Sequence, residues 1–182
     1  LSGNLVGSAA MQVILFVPGF CGSNLYRRDE GGDRYVKLWL SQLDVAFGGI
    51  SHLDTDPEIA PTDIDVVRPG SPIAEVYQPF FEYFARIAFP LYQFGYDFRA
   101  DVATNGARLV QFIDQPAFQG AEFTLIGHSM GGLVVASALN RLTDTTAARV
   151  KQVITCATPW RGSFRTVELL AGHHETVQTI VN

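Results

Sequence analysis

The sequence predicts an α/β protein built on a doubly wound, mostly parallel sheet. Three observations carry that prediction. Met11–Val17 is a nearly continuous apolar run, the pattern of a strand buried on both faces. Phe123–Ile126 is a second apolar run, and a long apolar, Ala-rich stretch of helix type follows it up to Leu139. Val150–Thr155 repeats the strand pattern, so strand and helix alternate along the chain, as they do where helices wrap a parallel sheet.

Composition narrows the function. The 182 residues, 47% hydrophobic and 12% aromatic, suit a single domain over residues 1–182 with a sizeable core. A net charge of −5 and a pI near 5.2 argue against nucleic acid as a partner, which asks for a basic face. No apolar run approaches the roughly 18 residues of a membrane-spanning helix, and the small, polar Leu1–Ala10 carries no signal-peptide pattern. Cys21 and Cys156 have no zinc-site spacing. In a parallel sheet they would follow strands separated by one other strand, about 9–10 Å apart. That is beyond the roughly 7 Å reach of a disulfide, so both are expected to be free thiols. Asp54, Asp56 and Glu58 alternate like calcium ligands, but the loop lacks the glycine and final glutamate of an EF-hand and reads as solvated surface. Neither a metal nor another cofactor is expected.

The remaining elements follow in order. Pro18–Ser23 breaks the first strand with a Gly-rich loop. Residues 27–72, rich in Asp, Gly and Pro, read as a lid-like insertion, with a short amphipathic helix near Tyr35–Phe47 and then an irregular acidic stretch. Its apolar island, including Leu38, Trp39, Leu40 and Phe47, either packs on the domain or touches lipid, which would place a peripheral membrane contact at residues 35–50. Ile73–Phe84 reads as a helix and Ala88–Phe94 as a strand. Ten aromatics lie between Tyr77 and Phe98; most are expected in ordinary core, and some can line an apolar acyl pocket. Asp101 is the expected N-cap of a helix to about Asp114, whose face is Val102, Gly106, Leu109, Val110 and Ile113, and Pro116 ends it. After Val150–Thr155, a loop runs through Ser163 and a helix is expected over Phe164–Ala171.

Chemistry concentrates at Gly127-His128-Ser129-Met130-Gly131, which fits G-x-S-x-G. Between a strand and a helix that pattern is a nucleophile elbow. The turn strains Ser129 so that its hydroxyl stands clear of the sheet, and it demands very small residues at 127 and 131. The helix start adds a positive dipole end and free N–H groups where an oxyanion would form. The N–H of Met130, the residue after the serine, is the first candidate oxyanion donor. In α/β-hydrolases the second donor comes from the loop after an earlier strand, and Phe20, just after Pro18-Gly19, is the candidate.

Four signatures then stand in order: Val17–Ser23, Gly95-Tyr96-Asp97-Phe98-Arg99, Gly127–Gly131 and Thr158-Pro159-Trp160-Arg161-Gly162-Ser163. With the Leu38-Trp39-Leu40 insertion, they resemble the lecithin:cholesterol acyltransferase-like α/β-hydrolases over about residues 11–170. The Tyr-Asp-aromatic-Arg loop is what narrows the resemblance to that family. It implies an α/β-hydrolase fold, Ser129 as acyl nucleophile, the N–H groups of Phe20 and Met130 as oxyanion hole, and residues near 35–70 as lid. It also implies that an ester acyl group passes to water or to a lipid alcohol.

The chain departs from the family in its acid and base. A serine needs a histidine to take its proton and a carboxylate to orient that histidine, in the chain order Ser, Asp or Glu, His. After Ser129 the acids are Asp144, Glu168 and Glu175, and the histidines are His173 and His174. Asp144 falls at the wrong end of the sheet, His128 diverges from Ser129 at the elbow, and His52 comes too early. The expectation is therefore the amino-terminal part of a longer hydrolase, its sheet incomplete on the carboxyl-terminal side; the rival is that His173 or His174 swings in as base. The functional alternatives are a serine hydrolase or O-acyltransferase acting on lipid or other carboxylic esters, and an inactive hydrolase-fold module that binds a lipid or a protein partner. A thioesterase or peptidase on the same scaffold would share every motif except the Tyr-Asp-Phe-Arg loop.

Overall fold

The computed structural model describes residues 10–28, 35–37, 63–66 and 74–164. Four parallel strands form the main sheet: β1 (Gln12–Val17), β5 (Leu91–Gln93), β6 (Glu122–His128) and β7 (Val150–Cys156), in the order β5-β1-β6-β7. β1 pairs with β6 from Gln12↔Glu122 to Val17↔Gly127, so the two strands end side by side. The continuous apolar run of β1 is explained by its two covered faces. Val13, Leu15 and Val17 point into one core with Leu109, Ile113, Phe123, Leu125, Val134 and Val135. Ile14 and Phe16 point into the other with Tyr77 and Ile126.

Helices cover both faces, as the alternation predicts. α1 (Ala74–Arg86) lays Tyr77, Phe80, Phe81 and Phe84 on the face of Phe16, at the i, i+3, i+4, i+7 spacing of one helical stripe. α2 (Val102–Ile113) and α3 (Met130–Leu139) cover the opposite face. Asp101 is the N-cap of α2, its carboxylate accepting from the Thr104 N–H at 2.7 Å and from the Thr104 hydroxyl at 2.6 Å. A short 3₁₀ turn, Pro116–Phe118, follows α2, and α4 (Asp144–Ala147) precedes β7. The expected strand over Ala88–Phe94 is shorter as observed. Ala88 lies at φ 52°, and pairing with β1 starts where the Pro90 carbonyl accepts from the Ile14 N–H at 2.9 Å.

The expectation for residues 27–72 needs correction where those residues are described. Tyr35–Lys37 is a strand, β3, and not the start of a helix, and the acidic stretch contains a strand, β4 (Asp63–Val66). Both pair antiparallel with β2 (Ser23–Arg28) in a second sheet of order β3-β2-β4. An amphipathic pattern cannot reveal this, because what fixes Tyr35–Lys37 as strand is a partner, residues 26–28, and not its own periodicity. The apolar island from Leu38 on and the Asp54–Glu58 stretch lie outside the described residues, as does the expected helix beyond Phe164. Among the described residues no helix is long and apolar enough to cross a membrane.

α2 and α3 cross closely at Gly106. A Cβ there would stand 2.7 Å from Ser137 Cβ and 3.0 Å from the Ala138 backbone nitrogen. Alanine gains about 1 kcal/mol over glycine as a helix former, but forcing a buried contact apart costs about 1–3 kcal/mol. Gly106→Ala is therefore expected to lower stability by about 1 kcal/mol or more, read as a lower urea midpoint. An unchanged or higher midpoint would show that the Ser137 side of the contact yields freely.

Candidate functional site

β6 ends at His128 and α3 begins at Met130, so a single residue, Ser129, makes the whole bend. Its backbone sits at φ 51°, ψ −126°, a region L-residues rarely occupy. The bend is pinned on both sides: Ser129 N–H donates to the Cys156 carbonyl at 2.8 Å, and the Ser129 carbonyl accepts from Gly132 N–H at 3.0 Å. Two other non-glycine residues with positive φ lie just past neighbouring strands at this end, Cys21 (60°) after β1 and Ala157 (51°) after β7.

Missing side chains make the bend compact. A Cβ on Gly127 would come within 2.6 Å of Gly132 Cα across the turn, as the sequence predicts. The demand on Gly131 has a different origin: a Cβ there would run into the carbonyl oxygens of Val17 and Pro18 at the end of β1. Gly19 lies against the serine, so that a Cβ on it would stand 3.0 Å from Ser129 Cβ and 3.1 Å from His128 Nδ1. A Cβ on Gly132 would strike the Thr158 side chain of the loop after β7. The segments quoted from the sequence thus meet at one end of the sheet.

The two candidate amides belong to residues adjoining this point in the chain. Met130 N–H is the first of α3, and Phe20 N–H follows Gly19 directly. Among the described residues, neither N–H has a hydrogen-bond partner. The Phe20 side chain is 57% exposed, with its ring edge-on to Phe98 at 5.1 Å, and Trp160 is 58% exposed at the same end of the sheet.

Behind the bend lies a polar network that sequence reasoning did not reach. The Tyr77 hydroxyl accepts from Gly19 N–H at 3.0 Å and meets His128 Nδ1 at 2.7 Å. The Tyr96 hydroxyl donates to the Pro18 carbonyl at 2.9 Å, and the Tyr96 N–H donates to Ser23 Oγ at 3.1 Å. Burial pushes both phenols above their ordinary range. Burial also favours neutral His128, lowering its pKa. Next to Tyr96, burial pushes the Asp97 carboxyl up, but hydrogen bonds from Arg99 together with the charges of Arg99 and Arg108 outweigh that and hold it below the usual range. Arg99 donates to both carboxylate oxygens, at 2.9 and 2.8 Å, which fixes the loop that carries Tyr96. The sequence signal for Tyr77 was its place as the single hydroxyl on the Phe80, Phe81, Phe84 stripe; its partners, 51 and 58 residues away, carry no local signature.

The candidate acids and bases are not assembled here. Asp144 opens α4, ahead of β7, at the amino end of the sheet, opposite Ser129. His128 is turned to Tyr77. His52, Glu168, His173, His174 and Glu175 lie outside the described residues. Cys21 and Cys156 are both free. Among the described residues no group of three or more His, Cys, Asp or Glu side chains is placed to hold a metal ion.

The family model for lecithin:cholesterol acyltransferase matches residues 90–181, half of the chain. It takes in the Tyr96 loop, the bend at Ser129 and the loop after β7. No curated protein matches the chain.

Two measurements check the electrostatics of the site. An NMR titration is expected to place the His128 pKa below the ordinary 6.5. The unfolded chain then binds the proton more readily than the fold. This residue's contribution to stability is full above pH 6.5 and declines as pH falls from there through the folded pKa; a His128 titrating above 6.5 contradicts the burial argument. The Cys21 thiol, pushed up to about 12 by burial, is expected to resist a disulfide reagent at pH 8 until the protein unfolds, while exposed Cys156 reacts in the native state. Equal native-state reaction of both thiols would show that Cys21 is open to solvent.

Proposed function

Because the chain belongs to the lecithin:cholesterol acyltransferase family, we propose that it acts on lipid or other carboxylic esters as a serine hydrolase or O-acyltransferase, with an acyl-enzyme formed on Ser129. The observation that carries the proposal is the bend: a half-buried serine at φ 51° between a parallel strand and a helix start, with Gly19 packed against it. Strain held at one non-glycine residue by hydrogen bonds on both sides is the form stored strain takes at reactive sites.

In this reading Ser129 Oγ attacks the ester carbonyl carbon and its proton leaves to a base. The carbonyl oxygen becomes an oxyanion facing the N–H groups of Phe20 and Met130, each of which contributes about 10²–10³ in rate. Collapse expels the alcohol, which takes the proton, and leaves the acyl group on Ser129. Water or a lipid alcohol then repeats the sequence in reverse and frees the serine. By resemblance to the family, the histidine and carboxylate come from chain beyond β7. Phe20 and Trp160, more than half exposed at the site, favour an apolar ester over a charged one.

Treatment of the protein in its full natural length with a fluorophosphonate probe tests the proposal. Ser129 is expected to be labelled, and Ser129→Ala to abolish labelling and to lower ester turnover by about 10⁴ or more. An unlabelled Ser129, or full turnover by Ser129→Ala, overturns the proposal, and the former favours a binding module on the same scaffold.

A further inference from the structure

The Pro18–Gly19 peptide unit is gripped at both of its polar ends by tyrosine hydroxyls from separate parts of the chain. Tyr96, in the loop after β5, donates to its carbonyl at 2.9 Å; Tyr77, on α1, accepts from its N–H at 3.0 Å. Neither ring is free to turn. Tyr77 is 6% exposed and packs edge-on against Phe16 at 5.0 Å and His128 at 5.4 Å. Tyr96 is wholly buried and stacks on Phe94.

The backbone fixes the direction of the first bond, and satisfaction of the buried hydroxyl selects that of the second. A backbone N–H can only donate, so the Tyr77 oxygen accepts from Gly19; the bond to His128 Nδ1, 2.7 Å away, is taken with Tyr77 as donor, the direction that gives the buried phenolic hydrogen an acceptor among the described residues. Nδ1 then carries no proton, and the neutral imidazole holds its hydrogen on Nε2. One hydroxyl thereby ties together the residues immediately before Phe20 and before Ser129.

We infer that Tyr77 and Tyr96 are positioning residues: they clamp the Pro18–Gly19 peptide plane and so set where the Phe20 N–H stands relative to Ser129. The inference rests on the reading of Ser129 as acyl nucleophile and of the Phe20 N–H as an oxyanion donor. A clamp has a purpose because a Cβ on Gly19 would crowd Ser129 Cβ at 3.0 Å, and glycine leaves the peptide before it less restrained than a larger residue would. The peptide after it is held by Gly22 N–H, which donates to the Gly19 carbonyl at 3.0 Å. The hydroxyls restore the restraint that the missing side chain gives up. A misplacement of about 1 Å lowers rates about a hundredfold, and loss of a whole oxyanion donor about 10²–10³-fold. Releasing one side of the clamp is therefore expected to lower kcat about ten- to a hundredfold.

The test compares Tyr77→Phe, Tyr96→Phe and the double variant with the wild type, in the protein of full natural length, by ester turnover, rate of phosphonylation at Ser129 and Tm. Each single variant is expected to lose about tenfold or more in kcat with KM within about twofold. The double variant is expected to lose less than the product of the singles, since both substitutions release the same peptide. A folded Tyr77→Phe or Tyr96→Phe that labels and turns over at the wild-type rate, or that changes KM alone, overturns the clamp. Where Tyr77→Phe does not fold, Tyr96→Phe carries the kinetic test, and ¹⁵N NMR of the wild type reads the other half: a proton on His128 Nδ1 overturns it. A wild type left unlabelled at Ser129 overturns the nucleophile reading and the clamp with it, whereas a labelled wild type with equally fast variants overturns the clamp alone.

Discussion

The first turn of α3 lies directly on the end of β1, and the carboxyl end of the sheet is arranged around that contact. Gly131 has the carbonyl oxygens of Val17 and Pro18 where a side chain would begin. Any Cβ at this position would push the helix off the strand end, because Val17 is held in the parallel ladder and the Pro18 carbonyl by the Tyr96 hydroxyl, and neither can rotate away as a flexible side chain can. The contact brings the helix start, with its unpaired N–H groups and partial positive charge, over the loop that leaves β1. Gly19 then lies so near the bend that a Cβ on it would stand 3.0 Å from Ser129 Cβ.

Such an arrangement is unfavourable locally and persists only because its supports are stronger. Each non-glycine residue at positive φ costs about 1–3 kcal/mol, and Cys21, Ser129 and Ala157 all stand where a strand of this sheet ends. Against this, β6 is paired on both sides along its length, and fully buried Leu125 and Val135 are core residues of the kind whose truncation costs about 2–5 kcal/mol. The strain falls at the points where the chain leaves the ladder, so no buried strand hydrogen bond is given up to maintain it.

What could be read in the sequence is what depends on neighbours in the chain. Met11–Val17 and Phe123–Ile126 are legible as strands because burial on both faces leaves an apolar run, whereas Val150–Thr155 is legible only from its β-branched residues, since the strand formed there is largely exposed. Asp101 and the α2 face were legible because capping and helical periodicity operate over three and four residues. The second sheet was not. Ser-Asn-Leu-Tyr-Arg-Arg, Tyr-Val-Lys and Asp-Ile-Asp-Val are too short and too polar to announce themselves, and their pairing spans up to about forty residues. At the candidate site the same division holds. Ser129, Gly127 and Gly131 form a contiguous pattern, but the reason Gly131 must be bare lies on β1, and Tyr77 reaches Gly19 and His128 only through the fold. The Tyr96 loop was legible as a family mark before its role was: its hydroxyl meets Pro18, 78 residues earlier.

The two ends of the sheet divide strain from satisfaction. At the amino ends of the strands, Gln12 donates to Glu122, Lys151 pairs with Glu122 at 3.2 Å, and Arg149 donates to the carbonyls of Phe118 and Ile113 and to Asp114. Thr146 donates to the same Asp114 oxygen at 2.8 Å, and the Arg149 guanidinium lies over the Phe123 ring. An open depression lined by Asp114, Gln119, Thr146 and Arg149 lies there, but its charged groups are already spent on one another. At the carboxyl ends the balance is reversed: backbone strain, two amides without partners among the described residues, and a serine packed between bare glycines. A parallel sheet makes this division possible, because every strand ends on the same side and every connection there is free to be irregular.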